Sequence, residues 1–247
     1  MREQREVKPG PTIPKMGSVQ GFSIIVDLNQ FTPMVTKAEM SGGSIAQFVR
    51  DALSGAILEI EANGGEVVAF MGDAVLGFIP ECESAGEVCI GIAKDLDQQC
   101  EYISDVQEDE ENNWDFAPGG PSIKIAIEFG SLNISTIGSR FLGEHKLFIG
   151  SPINYAARIS SAGKGNRCII GPVAVEKEFK KFNLEGPFSI AGKPGEPDYT
   201  YFLFPLDGIW NEEPGPHGGK RYWQRVRSMI QDVFSSIYRS IKAALHS

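Results

Sequence analysis

The feature that most constrains this chain is the order in which its apolar residues change period. "GFSIIVDL" is a short run rich in β-branched residues that ends near Asp27, and it reads as a central strand. From Ser44 to Ala62 the apolar residues Ile45, Phe48, Val49, Leu53, Ile57 and Ile60 recur near helical spacing. Asn63-Gly64-Gly65 stops that helix. Two strand-like pieces follow, "EVVAF" and "AVLGFI", joined across Met71-Gly72-Asp73. Ser84 to Tyr102 reads as a second helix, and "DVQEDEENN" after it as a solvated acidic loop. "SIKIAIEFGSLNISTIG" supplies two more strands around Gly130. The order β-α-β-β-α-β predicts an α+β fold with a ferredoxin-like core, an antiparallel sheet with its helices on one face.

The flanks divide the chain further. Residues 1–20 are polar and carry prolines, as a flexible arm would, and a compact domain is expected over 21–206. Within it, "GSPINYAARISSAGKG" reads as a helix entered through Pro152 and ended by Gly163-Lys164-Gly165, while "CIIG" and "YTYFLF" supply later strands. Residues 207–219, "DGIWNEEPGPHGG", form a turn-rich linker. Residues 220–247 predict a C-terminal amphipathic helix with a seam at Val226, Ile230, Val233, Ile237 and Ile241. Its basic residues, including Arg221, Arg225, Arg227, Arg239 and Lys242, leave three roles open. The helix packs on its own domain, pairs with a partner subunit, or lies peripherally on an anionic membrane surface.

Composition matters here mainly for what it removes. A net charge of −9 disfavours a nucleic-acid binder, which needs a basic footprint. It leaves open a small anionic ligand held by a few placed cations. No apolar run approaches the roughly 20 residues of a spanning helix, and the charged N-terminus has no apolar core, so a cytoplasmic address is expected. Cys82, Cys89, Cys100 and Cys168 show no close pairing, and His145, His217 and His246 are scattered. Reduced thiols and no thiol- or histidine-built metal site follow.

One carboxylate stands out. "VVAFMGDAV" places Asp73 inside an apolar run, where a buried charge is costly. In a βαββαβ core, Asp27 at the end of the first strand and Asp73 at the hairpin tip come from adjacent strands, so their side chains converge. Converging carboxylates repel unless a cation lies between them, and hard oxygen donors favour Mg²⁺ or Mn²⁺. The segment Asn29, Gln30, Phe31 and Thr32 would present backbone N–H groups to a phosphate chain as it turns toward a helix. Carboxylates, metal and phosphate cradle together suggest phosphoryl or nucleotidyl transfer.

The segments "FSIIVDLNQFT", "NGGEVVAFMGDAVLGF", "IKIAIEFGSLNISTIG" and "FIGSPINYAARI" resemble, in order and spacing, the catalytic domain of class III nucleotidyl cyclases. "AGKPGEPDYTYFLF" resembles the family's closing strand pair. The resemblance implies a head-to-tail homodimer with two active sites in the cleft between the subunits. It matches Asp27 and Asp73 to the two metal-binding aspartates, with the backbone of Leu28 beside them, and implies two Mg²⁺ or Mn²⁺ ions per site. Asn154 matches the asparagine that orients the ribose, and Arg158 the arginine that stabilises the transition state. Their i, i+4 spacing puts both on one helix face. Lys193 in "AGKPG" matches the lysine that contacts the terminal phosphates. The implied reaction is attack of the ribose 3′-oxygen on the α-phosphorus, with pyrophosphate leaving.

The chain departs from the best-known members at the base pocket. Adenylate cyclases of the family carry a lysine and an aspartate or threonine where this chain has Ala69 and Leu147. Neither side chain reads the hydrogen-bonding edge of a purine, and guanylate cyclases use polar residues there as well. In this the chain resembles the pyrimidine cyclases of bacterial Pycsar anti-phage systems, which make cyclic UMP or cyclic CMP. UTP is the preferred expectation over CTP. Arg50, on the first helix, has two readings, reaching a pyrimidine carbonyl or snorkelling to solvent. Two alternatives stand beside this one: an adenylate cyclase with unorthodox base reading, and a catalytically silent nucleotide-binding module.

Overall fold

The computed structural model describes residues 13–14, 16–29, 31–41, 46–109, 122–139, 143–162 and 167–206. Gln30, the 163–165 helix stop and the C-terminal extension lie outside them. The chain divides into two units, Met1–Asp207 and Gly208–Ser247, and the described residues belong to the first.

Strand β1 (Gly17–Asn29) leads to helices α1 (Phe31–Ser41) and α2 (Ala46–Ala62), then to β2 (Glu66–Phe70) and β3 (Ala74–Pro80). Helix α3 (Ala85–Asp109) and β4 (Ser122–Ser139) complete the expected βαββαβ order. After it come β5 (Gly143–Ile149), α4 (Ser151–Ser160), β6 (Arg167–Ile170), α5 (Pro172–Lys177), β7 (Glu185–Ile190) and β8 (Tyr199–Pro205). The sheet runs β2-β3-β1-β4-β6-β8-β7, with β5 paired to β4. This is the α+β fold anticipated from the sequence.

Several boundaries differ from expectation. β1 begins at Gly17, inside the stretch expected to be an arm, because residues 17–20 find partners in Ile134 to Ser131 of β4. β4 is one continuous strand, not two around Gly130, because Gly130 pairs directly with Gly21 and the ladder passes through it. α3 extends to Asp109, into the expected acidic loop. The sheet is not wholly antiparallel either, since β4 and β6 run parallel, joined through β5 and α4.

Alternation along β1 separates two faces. Phe22, Ile24, Val26 and Leu28 join the larger core with Ala56 and Ile60 of α2, Ile92 and Leu96 of α3, and Val175 of α5. Each fully buried isoleucine there contributes roughly 1.5–3 kcal/mol. The core helices therefore share one face, as the ferredoxin-like order predicts. Ile25 points the other way, with Leu76, Ala126 and Ile169, and is covered by Ala156 and Ile159 of α4. Helix α4 can sit that close because Gly130 has no side chain. A Cβ there would come within 2.6 Å of the Pro152 ring.

Beneath this face lies Glu128 of β4, only 2% exposed. Its Oε1 accepts the N–H groups of Phe129 and of Ala174 in the first turn of α5, both at 2.8 Å. Burial raises its carboxyl from 4.5 to about 7, against the opposing pull of those backbone donors. With the folded pKa above the unfolded one, this group's stabilisation is complete below about pH 4.5 and lost as pH rises through about 7. Asp95 of α3, raised to about 6 by burial and by the nearby Glu59, adds a share of the same sign. Glu128→Gln should remove only the Glu128 share. Urea denaturation from pH 5 to 8 should show the wild type losing on the order of 3 kcal/mol relative to the variant across that window. Parallel pH profiles would refute a raised Glu128.

Candidate active site

A tight hairpin turn carries Asp73 to the end of β1. Met71 N–H donates to the Ala74 carbonyl at 2.8 Å and Ala74 N–H returns the bond to the Met71 carbonyl at 3.3 Å. This encloses a two-residue hairpin loop, Gly72-Asp73, with Gly72 at φ +71°, the left-handed geometry such loops favour. Leu28 N–H donates to the Asp73 carbonyl at 3.3 Å, tying the turn to the end of β1. Asp27, meanwhile, sits opposite Ala74 on one side and Lys124 on the other. Asp27 and Asp73 thus converge at one end of the sheet, on the face that α4 also occupies.

The convergence has an electrostatic consequence. The Asp73 carboxyl is raised above its ordinary range, first by burial and then by the charge of Asp27, while its backbone hydrogen bond and Lys124 oppose the rise. Lys124 Nζ lies 2.9 Å from Asp27 Oδ2, in a pair only about one-fifth exposed. One ammonium, paired with Asp27 and acting on Asp73 only through its charge, leaves the two carboxylates a net negative, all-oxygen donor set suited to a hard divalent cation. Among the described residues no cluster of three or more Asp, Glu, His or Cys offers a richer metal site. The donor set fits Mg²⁺ or Mn²⁺ completed by oxygens from water or a ligand.

At the end of β1, Asn29 donates from Nδ2 to Ser122 Oγ at 3.1 Å. Phe31 and Thr32 open α1, with Pro33 in its first turn. Proline is favoured there because the N–H it lacks has no partner within the helix. Pro33 is not among the expected phosphate-binding residues; of those, Asn29, Phe31 and Thr32 lie at the β1–α1 junction, and Gln30 lies outside the described residues.

The second group of residues is built on α4. Asn154 is exposed and Arg158 half-buried, one turn apart. Tyr155, between them, fastens the helix to β8: its hydroxyl donates to the Thr200 carbonyl and accepts the Thr200 N–H, both at 3.0 Å. The Arg158 Nη2 donates to Glu196 Oε1 at 2.6 Å. Lys193 lies exposed in the same turn as Glu196, whose N–H donates to the Lys193 carbonyl at 2.8 Å. The structure thus brings Asp27 to Asp73, and Arg158 to the Lys193 turn.

At the expected base pocket, Ala69 is half-buried on β2 against the α4 cluster. Leu147 on β5 is 42% exposed. The polar link between these strands runs instead from Lys146 Nζ to Glu66 Oε2, at 2.6 Å. Arg50 is exposed and pairs with its neighbour Asp51 at 3.1 Å. Sequence reasoning missed Lys124 and Glu196. The alternation of "SIKIAIE" was a signal that Lys124 leaves the core, but only the β1–β4 register sets it against Asp27.

No family model and no curated protein sequence matches the chain. Solved structures do match. The adenylyl cyclase CyaB from P. aeruginosa superposes with a TM-score of 0.65 at 14% identity, over 77% of this chain and 95% of that one. The guanylyl cyclase Cya2 gives 0.61 at 16%, over 80% and 98%. The guanylate cyclase domain of RhGC from Catenaria anguillulae, solved with GTP, gives 0.54 at 19%, over 76% and 98%. The chain has the fold of a class III nucleotidyl cyclase catalytic domain. In this cyclase fold the apolar residues Phe70, Met71, Ile137, Leu147 and Ile149 are left exposed along β2 and the β4–β5 hairpin. No described helix is long and apolar enough to cross a membrane.

Tyr155 ties α4 to β8. Tyr155→Phe removes both bonds to Thr200 and leaves that backbone pair without its partner. It should cost about 1–2 kcal/mol in urea denaturation. A loss below about 0.3 kcal/mol would mean the hydroxyl does not hold the helix.

Proposed function

We propose that this chain is a class III nucleotidyl cyclase, converting a nucleoside triphosphate to its 3′,5′-cyclic monophosphate and pyrophosphate. The observation that carries the reading is the convergence of Asp27 and Asp73 at the end of the β1–β3 ladder. It shares a sheet face with a helix bearing Asn154 and Arg158. The working unit is a head-to-tail homodimer, in which the acidic pair of one protomer faces the α4 residues of its partner. The exposed apolar residues of β2 and the β4–β5 hairpin supply surface for that association.

The chain's own residues divide the task. Asp27 and Asp73 hold the divalent ions, with the Leu28 backbone beside them. When bound, those ions acidify the ribose 3′-hydroxyl and neutralise the triphosphate. Lys124, released from Asp27, keeps a positive charge beside the phosphates. Asn154 orients the ribose so that its 3′-oxygen lies in line with the α-phosphorus. As the new P–O bond forms and the bond to pyrophosphate breaks, Arg158 meets charge growing on the α-phosphate, an interaction stronger in the transition state than before it. Lys193 takes the terminal phosphates.

The base is read as a pyrimidine, with UTP ahead of CTP. Ala69 and Leu147 supply only carbon where the purine cyclases of the family place donors and acceptors, and the resemblance to pyrimidine cyclases, which share that departure, favours a pyrimidine. The resemblance to pyrimidine cyclases also carries the biological role we infer, a second-messenger synthase in bacterial antiviral defence.

Incubation of the purified protein with each of the four nucleoside triphosphates and Mn²⁺ tests the reading. Cyclic UMP should dominate, Asp73→Ala should abolish product, and Arg158→Ala should lower kcat by roughly 10²–10³. Cyclic AMP as the main product would end the pyrimidine assignment. Absence of any cyclic product from folded protein would end the cyclase assignment.

A further inference from the structure

Arg158 does not project freely from α4. While its Nη2 occupies Oε1 of Glu196 at 2.6 Å, the other carboxylate oxygen is engaged as well. Glu196 Oε2 accepts the Tyr199 hydroxyl at 3.2 Å and the Lys193 backbone N–H at 3.3 Å. The carboxyl is held below its ordinary range, first by the hydrogen bond from Arg158. An isolated surface pair would have two flexible partners and little net worth. Here the acceptor is fixed by β8 through Tyr199 and by its own turn through Lys193.

We propose that Glu196 is the positioning residue for Arg158, ordering the guanidinium before substrate arrives and coupling it to the turn that carries Lys193. This rests on the assignment of Arg158 to the α-phosphate made above. The geometry favours positioning over blocking. A guanidinium presents five N–H donors in a rigid fork, so a contact on Nη2 fixes its plane and leaves other donors for a phosphate. An arginine ordered in advance need not be ordered during the reaction, which is where preorganisation raises the rate. The same carboxylate binds the Lys193 backbone, so the two cations move together as the turn moves.

Steady-state kinetics of the full chain, with whichever triphosphate it turns over, test the proposal. The variants are Glu196→Ala, Glu196→Gln, Arg158→Ala and the Arg158→Ala/Glu196→Ala double. Glu196→Ala should lower kcat at least about tenfold with KM within about threefold, and Glu196→Gln, which keeps an acceptor, should lie between it and wild type. In the Arg158→Ala background, loss of Glu196 should cost nothing further. Should Glu196→Ala fail to fold by thermal melt, Glu196→Gln in both backgrounds gives the same comparison. Wild-type or raised kcat in the Glu196 variants, or losses that multiply in the double, would overturn the proposal. A purely structural carboxylate would lower activity equally with and without Arg158. If Arg158→Ala itself retains wild-type kcat, the assignment of Arg158 has failed and the proposal falls with it.

Discussion

The register between β1 and its two neighbours is the constraint on which the rest depends. With Asp27 opposite Ala74 on one side and Lys124 on the other, the acidic pair and its ammonium meet at one end of the sheet. A slip of one residue would turn Ile25 and Asp27 into the larger core and expel Val26 and Leu28 to the α4 face. Burial of both faces prevents that slip: helices cover Phe22, Ile24 and Val26, while α4 covers Ile25. The apolar core thus does more than stabilise the domain, because it fixes the position of charges that would otherwise repel.

Two carboxylates, Asp73 and Glu128, are raised by burial on the sheet, with different consequences. Asp73 sits at the sheet's end beside Asp27 and Lys124, where a cation can relieve the repulsion. Glu128 lies buried against the first turn of α5, with backbone donors on Oε1 and none on Oε2. The first is a group suited to a ligand, and the second is a group suited to a proton. α4 is anchored to the sheet through Pro152 on Gly130 and Tyr155 on Thr200, so its position is set by packing and backbone bonding together. Glu196 continues that chain of contacts out to Arg158.

How much could be read from the sequence followed from how local each signal was. The core strands and α2 were legible because their periods are strong and their stops, Asn63-Gly64-Gly65 and Met71-Gly72-Asp73, are local. Asp73 was legible because a charge inside an apolar run is conspicuous. α1, β5, α5 and β7 were not identified as elements, being short or held chiefly by what they pack against. The continuity of β4 was hidden by Gly130, whose role as a strand partner of Gly21 appears only once the strands are paired. Lys124 and Glu196 were missed for the same reason, since their meaning lies in the partner across the gap and not in their own neighbours.

The central claim is that the acidic pair and Arg158 belong to different halves of a shared site. Mixing two inactive proteins tests it directly. Asp73→Ala and Arg158→Ala subunits, co-refolded or exchanged, would form heterodimers in which one cleft carries both lesions and the other carries none. The account predicts that cyclase activity returns in the mixture, up to about one quarter of the wild-type rate per subunit if dimers exchange at random. If the mixture, shown to contain heterodimers, is no more active than the sum of its parts, the site lies within one chain and the account is contradicted.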